Sequence, residues 1–480
     1  MMKKLKDLIE CNYDTIVTGI SINTKDIEKG NLFVCIKGST VDRHDYINDA
    51  IKKGASCLIT SKDVDVDIPY VKVENPNLVL SSICKKFYDN PDEKVTLYGV
   101  TGTDGKTSVA TITSTLLGND ICGYIGTNGR SCKEFNKSTD NTTPSSDKLY
   151  MYFDEFIKAG CNSIAMEASS EAVLQNRLDG LLYDVIGITN ITSEHLNHHG
   201  TLENYIECKK YIMTLTKDNG YAILNKDDKY YSDVRKVCKA NILTYGMDKD
   251  NDLVIEDFKL HTNGTDITFR YKDKSYNIKS PLLGDFNVYN LACSYLMCLS
   301  QNVDINKLIE NTDLINISGR LDMINLGQNY HVMVDYAHTP NGITKLLEFV
   351  KLLDKNRIIT VIGQAGERDS YKRREVGKIV ADNSDICIFT YEDPRSEDPL
   401  DIISDMLLDI KDYDNYEIVV DRSEAIARAI NIAKHNDMVL ILGKGNETYE
   451  KLRDKTIYFN DTEEATKYIK MRLDKEKNLV

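Results

Sequence analysis

The chain has 480 residues, 41% hydrophobic and 28% charged, a balance that supports buried cores and argues against both a membrane protein and a disordered one. Its 60 basic and 74 acidic residues leave a formal charge of −14, which disfavours a general nucleic-acid binder but leaves room for a local basic pocket around a phosphorylated ligand. At roughly 150 residues per domain, the length predicts about three domains.

The N-terminus carries lysines but no apolar run long enough for a signal core, and nowhere do about 18 consecutive apolar residues suggest a membrane span. A cytoplasmic protein is expected. The 12 cysteines are scattered as singles without a CxxC pair, and several lie in apolar settings, such as Cys35 in LFVCIKG and Cys293 in LACSYL. They read as reduced core residues, and Cys208 is read the same way.

In chain order, the first stretch holds short apolar runs, NLFVCIKG and ASCLITS, between polar helical patterns, and closes on the helical segment LVLSSICKKFYDNPDE. This predicts a small α/β domain over 1–93. From Val95 the pattern becomes strand (KVTLYGV), glycine turn (TGTDGKTS) and helix (VATITSTLL). Buried-type strands follow at CNSIAMEASS and YDVIGITNIT, then hairpin-like runs at LVIEDFKL and TDITFRYKD. A central P-loop nucleotide-binding α/β domain over 94–316 is predicted. After Gly319 and Arg320 the rhythm restarts with YHVMVDYAH, RIITVIGQAG, SDICIFTYEDP and DMVLILGKG, interleaved with helical stretches such as PLDIISDMLLDI. This predicts a doubly wound, Rossmann-like C-terminal domain over 317–480.

The turn GVTGTDGKT is where the sequence speaks most directly of chemistry. A glycine-rich turn between strand and helix offers backbone N–H groups and a helix N-terminus to an anion, and a lysine adds a point charge. The strict spacing G-x-x-x-x-G-K-[ST] needs glycine at position 100, where this chain has Val100 between Gly99 and the loop. Lys106 is expected at the outer phosphates and Thr107 at a magnesium ion, with Gly102, Thr103, Asp104, Gly105 and Ser108 completing the loop. The residues themselves leave ATP and GTP undecided.

The segments GVTGTDGKTS, NTTPSS, MEASSEAVLQNRLDG, ITNITSEHLNHHGTLENYIECK, LLGDFNVYN, SGRLD, VDYAHTP, GERDSYKRREVG, DPRSEDP and GKGNE follow one another along nearly the whole chain. In that order they resemble the Mur ligases, and within them the member that adds the third residue of the peptidoglycan stem to UDP-N-acetylmuramoyl-L-alanyl-D-glutamate. The resemblance implies an N-terminal domain for the UDP group, a central ATPase domain and a C-terminal domain that supplies the amino acid. It also implies ATP and Mg²⁺ as cofactors, and a reaction in which the D-glutamate carboxylate takes the γ-phosphoryl group and the resulting acyl phosphate is captured by an amine.

By the same resemblance Thr107 and Glu167 belong to a first magnesium site and His195 to a second. Lys209 matches a lysine converted to a carbamate, which turns a cation into an anion able to hold magnesium. Read alone, a lysine in LENYIECKK suggests solvated helix surface. Lys106, Glu167, His195 and Lys209 are thus the implied catalytic set, and Asn290, Arg320 and Asp335 match residues that hold adenine, phosphates and ribose.

For the UDP substrate the resemblance implies Ile22, Thr24 and the segment from Ser39 to Val41 near the nucleotide. Asn141, Thr142, Thr143, Ser169, Gln175 and Arg177 would lie along the sugar and peptide, with Arg177 suited to carboxylates. Thr24, Glu171 and Glu194 depart from the family's frequent serine, histidine and aspartate. Around the incoming amino acid it implies Arg368, Glu392, Asp393, Pro394, Arg395, Gly443 and Glu447. Arg395 favours diaminopimelate, since its fork matches a distal carboxylate that lysine lacks, whereas the adjacent Glu392 and Asp393 also suit the simple ammonium of lysine or ornithine. The expectation is a monomer acting on a UDP-muramoyl dipeptide and a diamino acid. The alternatives are a ligase of the same superfamily adding a dipeptide or glutamate, and a non-catalytic nucleotide-binding relative.

Overall fold

The computed structural model describes residues 1–38, 41–192, 199–261, 264–317, 319 and 321–477. The chain separates into two compact units: Met1–Ile191 with Ile206–Leu253 and Cys293–Asn311, and Thr192–Tyr205 with Val254–Ala292 and Thr312–Val480. Among the described residues no helix is long and apolar enough to cross a membrane.

The first unit begins with a small parallel sheet in sequential order, β1 (Gly19–Ser21), β2 (Asn31–Val34), β3 (Cys57–Thr60) and β4 (Tyr70–Lys72). The runs NLFV and CLIT are buried along their whole length, as parallel strands covered on both faces must be. Phe33, Cys35 and Leu58 pack on Ile47 and Ala50 of α1 (Ile47–Lys52). The helix α2 (Pro76–Phe87) then starts on a proline, with the Asn75 side chain accepting a hydrogen bond from the Asn77 N–H at 3.0 Å.

The rest of the first unit is built around β5 (Thr96–Thr101), which leads into α3 (Lys106–Leu117). The chain continues through β6 (Cys122–Gly126), β7 (Gly129–Cys132), β8 (Phe135–Lys137), α4 (Ser146–Lys158), β9 (Ser163–Glu167), β10 (Tyr183–Ile188), α5 (Leu202–Thr214), β11 (Thr216–Asn225) and β12 (Asn241–Gly246). Their spatial order is β8-β7-β6-β9-β5-β10-β11-β12. β5 pairs in parallel with β9 on one side and β10 on the other. The chain therefore crosses over β5 after β9, and this reversal opens a crevice at the carboxyl ends of the strands, where such sheets bind ligands.

The second unit carries β13 (Leu253–His261), β14 (Gly264–Tyr271) and β15 (Lys274–Ser280), the last two antiparallel, in line with the hairpin-like runs of the sequence. Its main body is a six-stranded sheet of β16 (Asp322–Ile324), β17 (His331–Asp335), β18 (Ile358–Ile362), β19 (Ile386–Phe389), β20 (Tyr416–Ile418) and β21 (Met438–Leu442), in the order β16-β17-β21-β18-β19-β20. Only the β16 edge is antiparallel. Alternate residues of these strands face opposite ways. Met333, Leu440, Ile362 and Phe389 pack with α6 (Pro340–Leu352), α7 (Tyr371–Asn383) and α8 (Pro399–Met406). Val332, Ile441, Val361 and Ile388 pack with α9 (Arg422–Ile432) and α10 (Asp461–Lys477). This is the doubly wound C-terminal domain expected from the strand rhythm.

Cysteines of both units are free, and most are buried.

Candidate active site

The turn 102–105 joins β5 to α3 at the carboxyl end of the sheet. Gly102 has φ +144°, and a Cβ there would lie 1.8 Å from Thr189 Oγ1, so no side chain is admitted. The residues after β10 hold the turn. Thr103 N–H donates to the Asn190 carbonyl at 2.8 Å and Asp104 N–H to Asn190 Oδ1 at 3.1 Å. Thr189 Oγ1 and Asn190 Nδ2 both donate to the Asp104 carbonyl, at 2.6 and 3.1 Å. The brace leaves the first turn of α3, with buried Thr107 and Ser108, as a helix N-terminus suited to an anion.

Two lysines converge on this turn. Lys106 Nζ donates to the carbonyls of Gly102 at 3.0 Å and Thr103 at 2.8 Å, and Lys209 Nζ, arriving from α5, donates to the same Gly102 carbonyl at 2.7 Å. Lys209 is 1% exposed. This overturns the surface reading that its polar helical context alone invites, because the positions flanking a lysine do not reveal which face of the helix turns inward.

Beside β5, in register with Val100, β9 ends in Glu167, which is fully buried. Its Oε1 accepts from Tyr124 Oη at 3.0 Å and from the Thr127 N–H at 2.7 Å, and its Oε2 from Thr127 Oγ1 at 3.3 Å. Burial and the neighbouring Glu167 hold the Tyr124 phenol well above its usual range. The residues expected along the sugar and peptide gather here. Thr142 Oγ1 lies 3.0 Å from Thr127 Oγ1, Thr143 Oγ1 donates to the Glu167 carbonyl at 2.8 Å and to Ser169 Oγ at 3.1 Å, and Arg177 donates to the Thr143 carbonyl at 2.7 Å. Ser169 caps a short helix, and Gln175 accepts from Arg177 at 2.5 Å while donating to Glu171 at 3.0 Å. Burial pulls the Arg177 guanidinium below its ordinary pKa, with Glu171 opposing. Asn141 lies in the same loop, and exposed.

In the N-terminal sheet, Ile22 is half-buried and Thr24 buried, the Thr24 carbonyl accepting from Lys53 Nζ at 3.1 Å. His195, Arg320, Ser39 and Thr40 lie outside the described residues; so does Glu194.

In the second unit Asn290 Nδ2 donates to Asn287 Oδ1 at 2.9 Å. Asp335, at the carboxyl end of β17, accepts from the Leu321 and Ala337 N–H groups, each at 2.7 Å. The amino-acid candidates gather along this same edge of the sheet, on the loops after β18, β19 and β21. Lys444, fully buried, donates to Asp393 at 2.8 Å and to Glu447 at 3.0 Å. Burial alone would lower its pKa, but Glu447, Asp393 and Glu392 reverse the sign and hold the ammonium above its usual range. Burial raises the Glu447 carboxyl. A Cβ on Gly443 would sit 2.9 Å from Glu392 Oε2, and Pro394 is buried. Arg395 adopts a left-handed backbone with φ 54°, uncommon for a non-glycine residue and a reason to look for function. Its Nε is buried with no hydrogen-bond partner among the described residues. Arg368 stands exposed on the loop after β18.

Residue patterns did not single out the braces: Thr189 and Asn190 under the glycine turn, Tyr124 and Thr127 on Glu167, and Lys444 on Asp393. The TN of ITNIT and the K of GKGNE stood in quoted motifs, yet their work is on backbone atoms and buried carboxylates that spacing does not display.

Three family descriptions match consecutive parts of the chain: "Mur ligase family, catalytic domain" over 16–96, "Mur ligase middle domain" over 100–298, and "Mur ligase, glutamate ligase domain" over 319–445. A Clostridium perfringens protein named UDP-N-acetylmuramoyl-L-alanyl-D-glutamate–2,6-diaminopimelate ligase is 36% identical over 95% of this chain and 96% of its own. A Bacillus cereus protein of the same name is 34% identical over 98% and 100%. A solved structure of a ligase with that name superposes with TM-score 0.68 at 26% identity, covering 98% of this chain and 99% of that one. The D-alanyl-D-alanyl-adding ligase from Acinetobacter baumannii, at 16% identity and TM-score 0.68, shares the fold. Full-length identity at this level, with every domain matched in order, means that the chain belongs to the Mur ligase family.

Proposed function

We propose that the protein joins a diamino acid, meso-2,6-diaminopimelate, to the D-glutamate of UDP-N-acetylmuramoyl-L-alanyl-D-glutamate at the expense of ATP; its relatives are named as ligases of that UDP-dipeptide and 2,6-diaminopimelate. The observation that carries the reading is a continuous hydrogen-bonded path within the first unit. The glycine turn follows β5, Glu167 ends the neighbouring strand, Thr143 donates to the Glu167 carbonyl, and Arg177 donates to the Thr143 carbonyl. Nucleotide and sugar–peptide candidates thus share one scaffold.

In the reaction the γ-carboxylate of D-glutamate attacks the γ-phosphorus of ATP, the bond to the bridging oxygen breaks, and ADP leaves. The amine of the diamino acid then attacks the acyl phosphate, forming the amide and releasing phosphate and a proton. Both steps concentrate negative charge, which preorganised cations and N–H donors stabilise. Lys106, the turn's N–H groups and the α3 N-terminus suit the phosphates, with Asn290, Arg320 and Asp335 assigned to the rest of the nucleotide. Arg177 suits the substrate carboxylates.

The donor set is right for magnesium, which takes oxygen ligands: the Thr107 hydroxyl, the Glu167 carboxylate and Lys209 as a carbamate, with His195 as a nitrogen donor to a second ion. When bound, the ion would neutralise charge on the phosphoryl oxygens. The chain's own contribution is to fix Glu167 through Tyr124 and Thr127, and to bring Lys209 to the turn.

At the amino-acid end, Arg395 offers a buried N–H without a partner among the described residues, which a distal carboxylate would satisfy. Asp393, which suggested an ammonium site, is engaged by Lys444. Purified protein should release phosphate from ATP only with both UDP-muramoyl dipeptide and diaminopimelate present. No release with diaminopimelate, lysine or ornithine would overturn the ligase reading, and preference for lysine or ornithine would overturn the choice of amino acid.

A further inference from the structure

One buried carboxylate beneath the amino-acid residues has no part in the reaction as described. Glu450, on β22 (Tyr449–Lys451), is 3% exposed, and its Oε1 has no hydrogen-bond partner among the described residues. The groups facing it come from several loops. Tyr391, after β19, faces it. Lys444 and Asp393 face it from the amino-acid edge, and Arg422 and Asp421 from the start of α9. The two cations are already committed: Arg422 makes a two-pronged pair with Asp461 at 2.8 and 2.7 Å, and Lys444 is shared between Asp393 and Glu447. The buried carboxylates therefore outnumber the buried cations, and Glu450, whose Oε1 has no partner among the described residues, is the one that neither cation pairs with; burying an unmatched charge is unfavourable enough that the group holds a proton instead. Burial, only partly offset by Lys444 and Arg422, raises its carboxyl to about 7.

We propose that Glu450 is a positioning residue of the amino-acid site that acts through Lys444: protonated, it lets the pocket hold an amino acid with a second carboxylate, and ionised, it opposes that carboxylate. The proposal rests on the ligase reading above. A neutral Glu450 leaves Lys444 to balance Asp393 and Glu447 alone. An ionised Glu450 draws on the same ammonium and makes the pocket more negative, which weakens diaminopimelate more than a diamino acid with one carboxylate.

The test is the KM for meso-diaminopimelate between about pH 6 and 8.5, at saturating ATP and UDP-muramoyl dipeptide, in the parent enzyme and in Glu450→Gln. Dividing one KM by the other at each pH cancels the titration of the substrate's own amine. The ratio of parent to variant should climb from near unity at the acid end to about threefold or more at the alkaline end, with the effect on KM and not on kcat. A ratio that stays flat in an active enzyme would overturn the role of Glu450 and leave the ligase reading standing. An enzyme that releases no phosphate with any diamino acid overturns both. Should Glu450→Gln fold poorly, Tyr391→Phe serves instead: without the phenol hydroxyl facing it, the ionised carboxylate is harder to form, so the rise in KM should move to higher pH, and an undisplaced rise counts against the proposal.

Discussion

Lys209 shows how far a single residue's meaning depends on what lies behind it. Its burial and its 2.7 Å bond to the Gly102 carbonyl put it at the phosphate turn, where a carbamate could serve a cation. Lys209→Ala should lower kcat by about a hundredfold or more, on the scale of losing one oriented charge at a transition state. Short carboxylic acids should restore part of it, and undiminished activity would refute the assignment. Glu450 gives a second prediction at this scale, read by melting temperature. Its folded carboxyl, at about 7, lies above the ordinary glutamate value of 4.5. The unfolded chain therefore ionises first, and stability present at acid pH is lost as pH rises from 4.5 through 7. Glu450→Gln should match the parent near the acid end and melt higher at alkaline pH, by the equivalent of about 1–3 kcal/mol. The turn between β5 and α3 was legible from its glycines. Tyr124, Asn190 and Lys444 were not, because each acts on an atom brought near only by the folded sheet.

Among elements, the strands of the second unit declared themselves in IITVI, ICIF and MVLIL, which are apolar but for Thr360 and buried nearly throughout, and so need cover on both faces. Their spatial order did not. β21, last of the parallel strands in the chain, inserts between β17 and β18, and no local pattern encodes that crossover. Nor does the sequence mark Arg422 and Asp461, at the starts of α9 and α10, as partners; both are fully buried. Removing one member of such a pair strands the other charge, so Asp461→Ala should destabilise the fold by about 3–5 kcal/mol in denaturant titration. The phosphate turn makes its own prediction. Gly102→Ala meets both a forbidden φ and the Thr189 hydroxyl, and should weaken ATP binding by about a hundredfold, measured by calorimetry, without loss of circular dichroism.

At the scale of the molecule, the three-domain plan was readable because the strand–turn–helix rhythm restarts twice, and the family matches follow it. What could not be read was that Val254–Ala292 clusters with the C-terminal part of the chain, since compactness is a property of the folded whole. Choice of substrate also belongs here, because it asks the distal end of one small molecule to be recognised far along the chain from the phosphate turn. Arg395→Ala should raise the KM for diaminopimelate about tenfold or more while leaving that for ATP unchanged; an unchanged KM would remove the basis for preferring diaminopimelate.

The shared carbonyl of Gly102 has a consequence for how nucleotide is recognised. Lys106 is already bonded to two backbone oxygens of the turn, so an arriving triphosphate enters by exchange and not by simple addition. Its gain is the difference between two sets of bonds. A lone sulfate or phosphate, with few oxygens to offer, gains little from that trade, whereas a polyphosphate chain can replace every bond it displaces. The resting turn should therefore favour a polyphosphate over a single phosphate before any base or ribose is touched, a difference that calorimetry with ATP and with inorganic phosphate measures.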